Sequence, residues 1–173
     1  MEIRKIIAVS LLTGLLLSGC IKEMHYEYEA FRTFDNNIWH RNDTVVFTYE
    51  PLTGGKKNVY FYLENTDAYP YANLFMIVRT QQNGKIIVDT LEYRMADSRG
   101  YWLGRKVRKN YENLLVFKTG VPVKKGEKIV ITPEFATRQI DRIEGDDALP
   151  GVAKLGIIIE NVSSNSEKND AKK

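Results

Sequence analysis

The stretch NLFMIVRTQQNGKIIVDTLEYR, residues 73–94, decides the fold class. Two alternating runs flank Asn83-Gly84. Asn-Gly accepts positive φ at both central positions, as a two-residue type I′ turn requires, and the twist of that turn matches paired strands. The residues therefore predict an antiparallel hairpin, with strands over 73–81 and 85–94. Leu74, Met76 and Val78 share one face, and beyond the turn Ile86 and Val88 alternate with Ile87 and Asp89.

Outward from this hairpin the same period recurs. Thr44 to Glu50 puts Val45, Phe47 and Tyr49 on one face, and Asn58 to Glu64 sets Val59, Phe61 and Leu63 against Tyr60, Tyr62 and Glu64. Pro51 to Gly55 between them is a turn cluster, so these two runs are predicted to pair antiparallel. Downstream, Leu114–Lys118, Lys128–Phe135 and Lys154–Val162 read as strands, and Gly120–Gly126 as a turn region. Residues 95–113 lose the period, and Arg138–Gly151 is charged and irregular, compatible with one helical turn. Ten tyrosines and seven phenylalanines favour strands. Short strands with regular turn signals and no amphipathic helix predict an all-β domain over 44–162, an antiparallel β-sandwich of about seven to eight strands.

The N-terminus carries a different signal. Arg4 and Lys5 precede an uncharged run from Ile6 to Leu17. At about 12 residues this run matches a signal-peptide core and is too short to span a bilayer. Leu17-Ser18-Gly19-Cys20 follows, with the chain's single cysteine. The pattern resembles the lipobox of bacterial lipoproteins, which implies cleavage before Cys20 and a covalent lipid on it. The expected organisation is a signal peptide over 1–19, a lipidated tether and lead-in over 20–43, the sandwich over 44–162 and a disordered tail over 163–173. That tail has no apolar residue except Ala171. Arg4, Lys5 and Glu2 leave with the leader, so 25 basic and 22 acidic residues become 23 and 21, a net charge of +2. This near-neutral balance argues against nucleic acid as a partner.

Chemistry finds little support. His25 and His40 lie 15 residues apart, and no HExxH or GxSxG pattern occurs. Asp89, Glu92 and Asp97 are the carboxylates near a candidate loop, but their spacing is not that of a calcium loop. Asp97-Ser-Arg-Gly100 reads as a turn, with aspartate first and glycine fourth. We therefore expect no enzyme, no metal and no cofactor beyond the lipid on Cys20.

Two surface features stand out. Tyr69, Tyr71, Tyr101 and Trp102 either close the ends of the sandwich, the favoured reading, or form a platform that stacks on sugars. The second option keeps a carbohydrate-binding lipoprotein as the alternative function. From Arg94 to Lys109 there are six basic residues and one acid. Loops this long are often functional or disordered, so residues 95–109 are either a solvated connection or the candidate partner surface. Tyr101 and Trp102 would be its anchors, with Arg105, Lys106, Arg108 and Lys109 as a charged rim.

Three further stretches carry a resemblance. They are Tyr69-Pro70-Tyr71-Ala72-Asn73-Leu74, then Asp89 to Tyr93 with Met95-Ala96-Asp97 and Gly100-Tyr101-Trp102-Leu103-Gly104, and lastly Leu149-Pro150-Gly151-Val152 with Leu155-Gly156-Ile157. In this order, behind a lipobox, the chain resembles the GldH gliding-motility lipoproteins of the Bacteroidota. It departs from them at Arg105 to Lys109, where a glycine-rich stretch is expected. The resemblance implies a noncatalytic outer-membrane lipoprotein that works with other envelope proteins of the gliding and type IX secretion apparatus. In such lipoproteins an acidic run after the cysteine marks export to the cell surface. Ile21-Lys22-Glu23-Met24-His25 has one acid beside one base, so the periplasmic face is expected. Cys20→Ser should abolish lipid attachment and leave uncleaved or mislocalised protein. Fractionation of that variant with the outer membrane, as for the parent, would refute the anchor.

Overall fold

In a computed structural model of the chain, residues 26–137 and 145–162 are described. They form eleven strands: β1 (Tyr26–Thr33), β2 (Ile38–His40), β3 (Phe47–Tyr49), β4 (Gly55–Thr66), β5 (Asn73–Gln82), β6 (Lys85–Arg94), β7 (Arg105–Val107), β8 (Asn110–Val123), β9 (Ile129–Phe135), β10 (Ala148–Pro150) and β11 (Val152–Asn161). A five-stranded sheet runs β1-β11-β4-β8-β7, and a four-stranded sheet runs β3-β9-β5-β6. All pairings are antiparallel. The expected all-β sandwich is thus the observed fold, and its surplus strands are mostly three-residue pieces.

Alternation builds the core. Leu74, Met76 and Val78 of β5 and Ile129 and Ile131 of β9 face Phe61 and Leu63 of β4 and Leu155, Ile157 and Ile159 of β11, all buried in one cluster. The β2–β10 pair closes one end. There buried Trp39 stacks on Phe34 at 5.3 Å and meets the edge of Phe135 at 5.1 Å.

The hairpin at 73–94 forms as predicted. Pairing is continuous from Asn73↔Arg94 to Gln82↔Lys85. Asn83 (φ 52°) and Gly84 (φ 73°) make the two-residue turn.

Other expectations are corrected. The runs around 44–50 and 58–64 are not neighbours, because β3 pairs with β9 whereas β4 lies between β11 and β8. Pro51 to Gly54 carries the chain from one layer to the other. Phe47 and Tyr49 reach the core from one side, and Val59, Phe61 and Leu63 from the opposite side. Alternation reports which face is buried, not which sheet buries it.

The sandwich also begins before the expected start at residue 44. β1 pairs with β11 from Tyr26↔Glu160 to Thr33↔Lys154. Leu114–Lys118 extends into the 14-residue β8, and the turn region at Gly120 lies within that strand. Its pairing with β4 shifts register on both sides of Val59. In the irregular segment, β10 occupies Ala148–Pro150, and residues 138–144 lie outside the described part. The leader, Cys20 and the 163–173 tail lie outside it as well.

One polar network ties this architecture together. Lys57 of β4 is fully buried. Its ammonium donates to Glu27 of β1, to Asn161 of β11 and, at 3.0 Å, to Thr53 of the crossing loop. Glu27 also accepts from the Tyr49 hydroxyl (3.0 Å) and the Leu52 N–H (2.8 Å). Burial pushes the Glu27 carboxyl up, but the hydrogen bonds from Lys57, Leu52 and Tyr49 outweigh it and hold the group below its ordinary value.

Two glycines separate backbone strain from steric strain. Both have positive φ, but a Cβ at Gly84 meets nothing, whereas one at Gly151 would lie 2.1 Å from the Tyr69 nitrogen. Gly84→Val should cost about 1–2 kcal/mol. Gly151→Ala should cost roughly 3 kcal/mol or more, because overpacking adds to the dihedral cost. Urea unfolding of the two variants measures the difference.

Candidate functional site

The segment expected to be a long basic loop, residues 95–109, is built from two turns. Met95 and Ala96 donate their N–H groups to the Ala72 carbonyl (2.8 and 3.0 Å), Leu103 N–H reaches Met95 O (2.9 Å), and Ala96 bridges Trp102. Inside this clamp Asp97 makes the first turn. Its backbone carbonyl accepts from Gly100 N–H (3.0 Å), and its carboxylate accepts from the N–H groups of Arg99 (2.9 Å) and Tyr101 (3.0 Å). The Asp97-Ser-Arg-Gly100 turn read from the sequence is therefore present. The second turn, Arg108-Lys109, joins β7 to β8, with Arg108 in the left-handed region at φ 56°.

The six proposed contact residues divide. Trp102 is half-buried, its ring 5.9 Å from both Tyr69 and Tyr111, and its indole N–H donates to Asp67 at 3.2 Å. It anchors the segment to its own domain. Tyr101 points away and is 66% exposed, with the Arg99 guanidinium 5.1 Å from its ring centre. Arg105 pairs with Glu112 at 2.5 Å, and the Lys106 ammonium lies 5.4 Å from the Tyr111 ring centre. Arg108 and Lys109 are exposed at the tip. The structure thus brings Trp102, Lys106 and Tyr111 together, leaves Tyr101 apart, and engages Arg105 in an ion pair.

The tyrosine–tryptophan set weighed as a sugar platform is mostly internal. Tyr69 is buried and meets Tyr71 and Trp102 edge-on. The carboxylates near the loop have structural partners: Asp89 pairs with Lys118 (2.6 Å), and Glu92 accepts from Asn73 (3.0 Å). His25 lies outside the described residues, and His40 is exposed on β2. Among the described residues no group of three or more His, Cys, Asp or Glu is placed to hold a metal, and no helix is long and apolar enough to cross a membrane.

A second surface covers the outer face of the five-stranded sheet. One row runs Phe31–Gly156–Tyr62–Leu114 across β1, β11, β4 and β8, and the next runs Ile158–Tyr60–Val116. Phe31, Leu114 and Val116 are exposed. Phe31 and Tyr62 meet edge-on at 5.4 Å, with the Lys154 ammonium about 6 Å above both rings. Gly156 leaves the space Phe31 occupies, since a Cβ there would lie 2.2 Å from the phenylalanine ring. Beside this row a shallow groove of about 570 Å³ runs between Phe31, Arg105 and Leu114. The outer faces of antiparallel sheets are commonly polar. Here the alternation of Tyr60 and Tyr62 with inward Val59, Phe61 and Leu63 was the signal in the sequence.

These features define the class first: an antiparallel β-sandwich with exposed apolar surface on the outer face of its larger sheet. Within that class, the chain belongs to the GldH lipoprotein family, whose pattern matches residues 26–159. It is 34% identical over 155 residues to the gliding motility lipoprotein GldH of Flavobacterium johnsoniae, covering 88% of this chain and 94% of that one. It is 30% identical over 155 residues to a GldH homologue from Christiangramia forsetii, covering 88% and 93%. Among solved structures, dimeric latent PorU from Porphyromonas gingivalis aligns with a TM-score of 0.33 and 10% identity, over 80% of this chain and 13% of that one. That likeness is too slight to speak for function.

Asp97 gives a pH test of the turn. Hydrogen bonds from the Tyr101 and Arg99 N–H groups hold its carboxyl below the ordinary value of 3.8. A depressed carboxyl stabilises the fold above its unfolded value and loses that contribution as pH falls through the folded value. The Tyr101 amide resonance should therefore titrate with a midpoint below 3.8. A midpoint at or above that value would mean the carboxylate does not cap this turn.

Proposed function

We propose that the protein is a noncatalytic assembly component of the gliding motility and type IX secretion machinery. In this reading it sits on the periplasmic face of the outer membrane, held by lipid on Cys20, and works by contact with other envelope proteins. Family membership supports the gliding context, since the F. johnsoniae relative is named a gliding motility lipoprotein. The observation that carries the contact role is the Phe31–Tyr62–Leu114 row. Solvated sheet faces rarely expose contiguous apolar patches without a partner, and aromatic residues concentrate the energy of interfaces. Phe31 and Tyr62 are the anchors, Lys154, Glu64 and Arg105 supply a charged rim, and the Arg108-Lys109 tip extends it.

Chain length adds a geometric limit. Six residue steps separate Cys20 from Tyr26, the first residue of β1. An extended chain covers at most ~3.6 Å per residue, so β1 starts within about 22 Å of the lipid-bearing residue.

The test is Leu114→Lys with Val116→Lys, introduced into a strain lacking the gene. Exposed strand positions tolerate such changes with roughly 0.5–1 kcal/mol lost, so folding should persist. Secretion and spreading should fall to the level of the deletion strain, and co-purified envelope proteins should be lost. Full complementation by a folded, normally abundant variant would contradict a contact role for this face.

A further inference from the structure

We infer that the β6 edge pairs with the β6 edge of a second copy of this chain, forming a continuous sheet across a two-fold axis at Ile87. β6 ends the four-stranded sheet. Its ladder with β5 has no register shift and no proline over ten residues. Ile86, Ile87 and Val88 are 66%, 48% and 57% exposed. Among the described residues, no backbone bond outside the β5 ladder reaches residues 85–93. Long, straight, apolar edges invite another strand, and proteins normally blunt them with prolines, bulges or charges.

The hairpin settles which groups are free. Gln82 and Lys85 flank a two-residue turn, which makes them a hydrogen-bonded pair. By alternation, Lys85, Ile87, Asp89 and Leu91 bond towards β5. Ile86, Val88, Thr90 and Glu92 therefore present their N–H and C=O groups to the open side.

The occupant follows from self-complementarity. A two-fold axis normal to an antiparallel sheet sets one residue opposite itself. With Ile87 on the axis, Ile86 and Val88 of one copy form hydrogen-bonded pairs with Val88 and Ile86 of the other. Lys85 of each copy then stands opposite Asp89 of the other, on the same face. The neighbouring registers fail. Val88 on the axis sets Ile87 against Asp89, and Asp89 on the axis opposes two carboxylates. Thr90 on the axis sets Val88 against Glu92 and Ile86 against Arg94. Ile86 on the axis sets Lys85 against Ile87. Of these registers only Ile87 matches apolar with apolar and opposite charge with opposite charge. Asp89 already pairs with Lys118 at 2.6 Å on the inner side of this edge. A second cation from Lys85 adds to that pair, so the inward carboxylate does not block this register.

The register predicts one cross-link. Directly opposed, non-hydrogen-bonded residues have Cα atoms about 4.5 Å apart, within disulfide reach. The full chain carrying Ile87→Cys, oxidised in its native membrane, should run as a reducible dimer. Thr90→Cys and the parent chain, which shares Cys20, should not. In the chain without an added cysteine, Lys85→Glu opposes like charges twice per dimer. It should weaken self-association in detergent about tenfold, at two pairs of up to ~1 kcal/mol each, with the thermal midpoint of the diluted monomer unchanged. No Ile87→Cys dimer, equal cross-linking through Thr90→Cys, or an Ile87→Cys link to a different protein would each overturn self-pairing. Unchanged association of a folded Lys85→Glu chain would overturn the register.

Discussion

Lys57 imposes the constraint on which the rest of the domain depends. Its ammonium sits where the two sheets meet the crossing loop, sealed from water. An unpaired charge there would cost several kcal/mol, and three donors need three acceptors. Those acceptors come from β1, β11 and the Pro51–Gly54 crossing. No two of these segments are adjacent in sequence, so satisfying one side chain fixes three pieces of backbone. Glu27, in turn, uses Tyr49 of the opposite sheet. A buried ion pair is weak evidence for stability as such, because packed apolar residues often do as well. Its effect here is on arrangement, since no other register of β1 brings Glu27 to the lysine.

That arrangement has a consequence for the surface. Locking β1 to β11 makes Tyr26–Thr33 part of the larger sheet. It also completes the outer face of the larger sheet, because Phe31 belongs to β1 and lies over Gly156 of β11. The exposed row would be one aromatic ring shorter if β1 were a tether.

The sequence announced what local physics controls. The Asn83-Gly84 hairpin, the Asp97 turn and the inward faces of β3, β4 and β5 were readable, since each rests on neighbouring residues or a period of two. The early strand was not, because Glu27 points inward and disguises the alternation of β1; its distant partners Lys57, Tyr49 and Leu52 make that position tolerable. The partners of β3 were hidden for a related reason: an inward face looks the same whichever sheet supplies it. At the candidate site, charge counting suggested a basic rim, yet Arg105 faces Glu112 and Trp102 turns to Tyr69 and Tyr111. Those contacts depend on the β7–β8 turn that folds Glu112 and Tyr111 back beside the segment, and on Tyr69 from before β5. The exposed row on the larger sheet was half visible in Tyr60 and Tyr62, and its other half needed the strand order.

The Lys57–Glu27 pair holds β1, Tyr26–Thr33, inside the folded domain. Hydrogen exchange of the backbone amides from Tyr26 to Thr33, measured on the membrane-anchored chain, tests it most directly. The account predicts protection close to that of β11 in the parent, and selective loss of β1 protection in Glu27→Ala while β5 and β9 remain protected. Exchange of the β1 amides at the rate of an unstructured tether in the parent chain would contradict it.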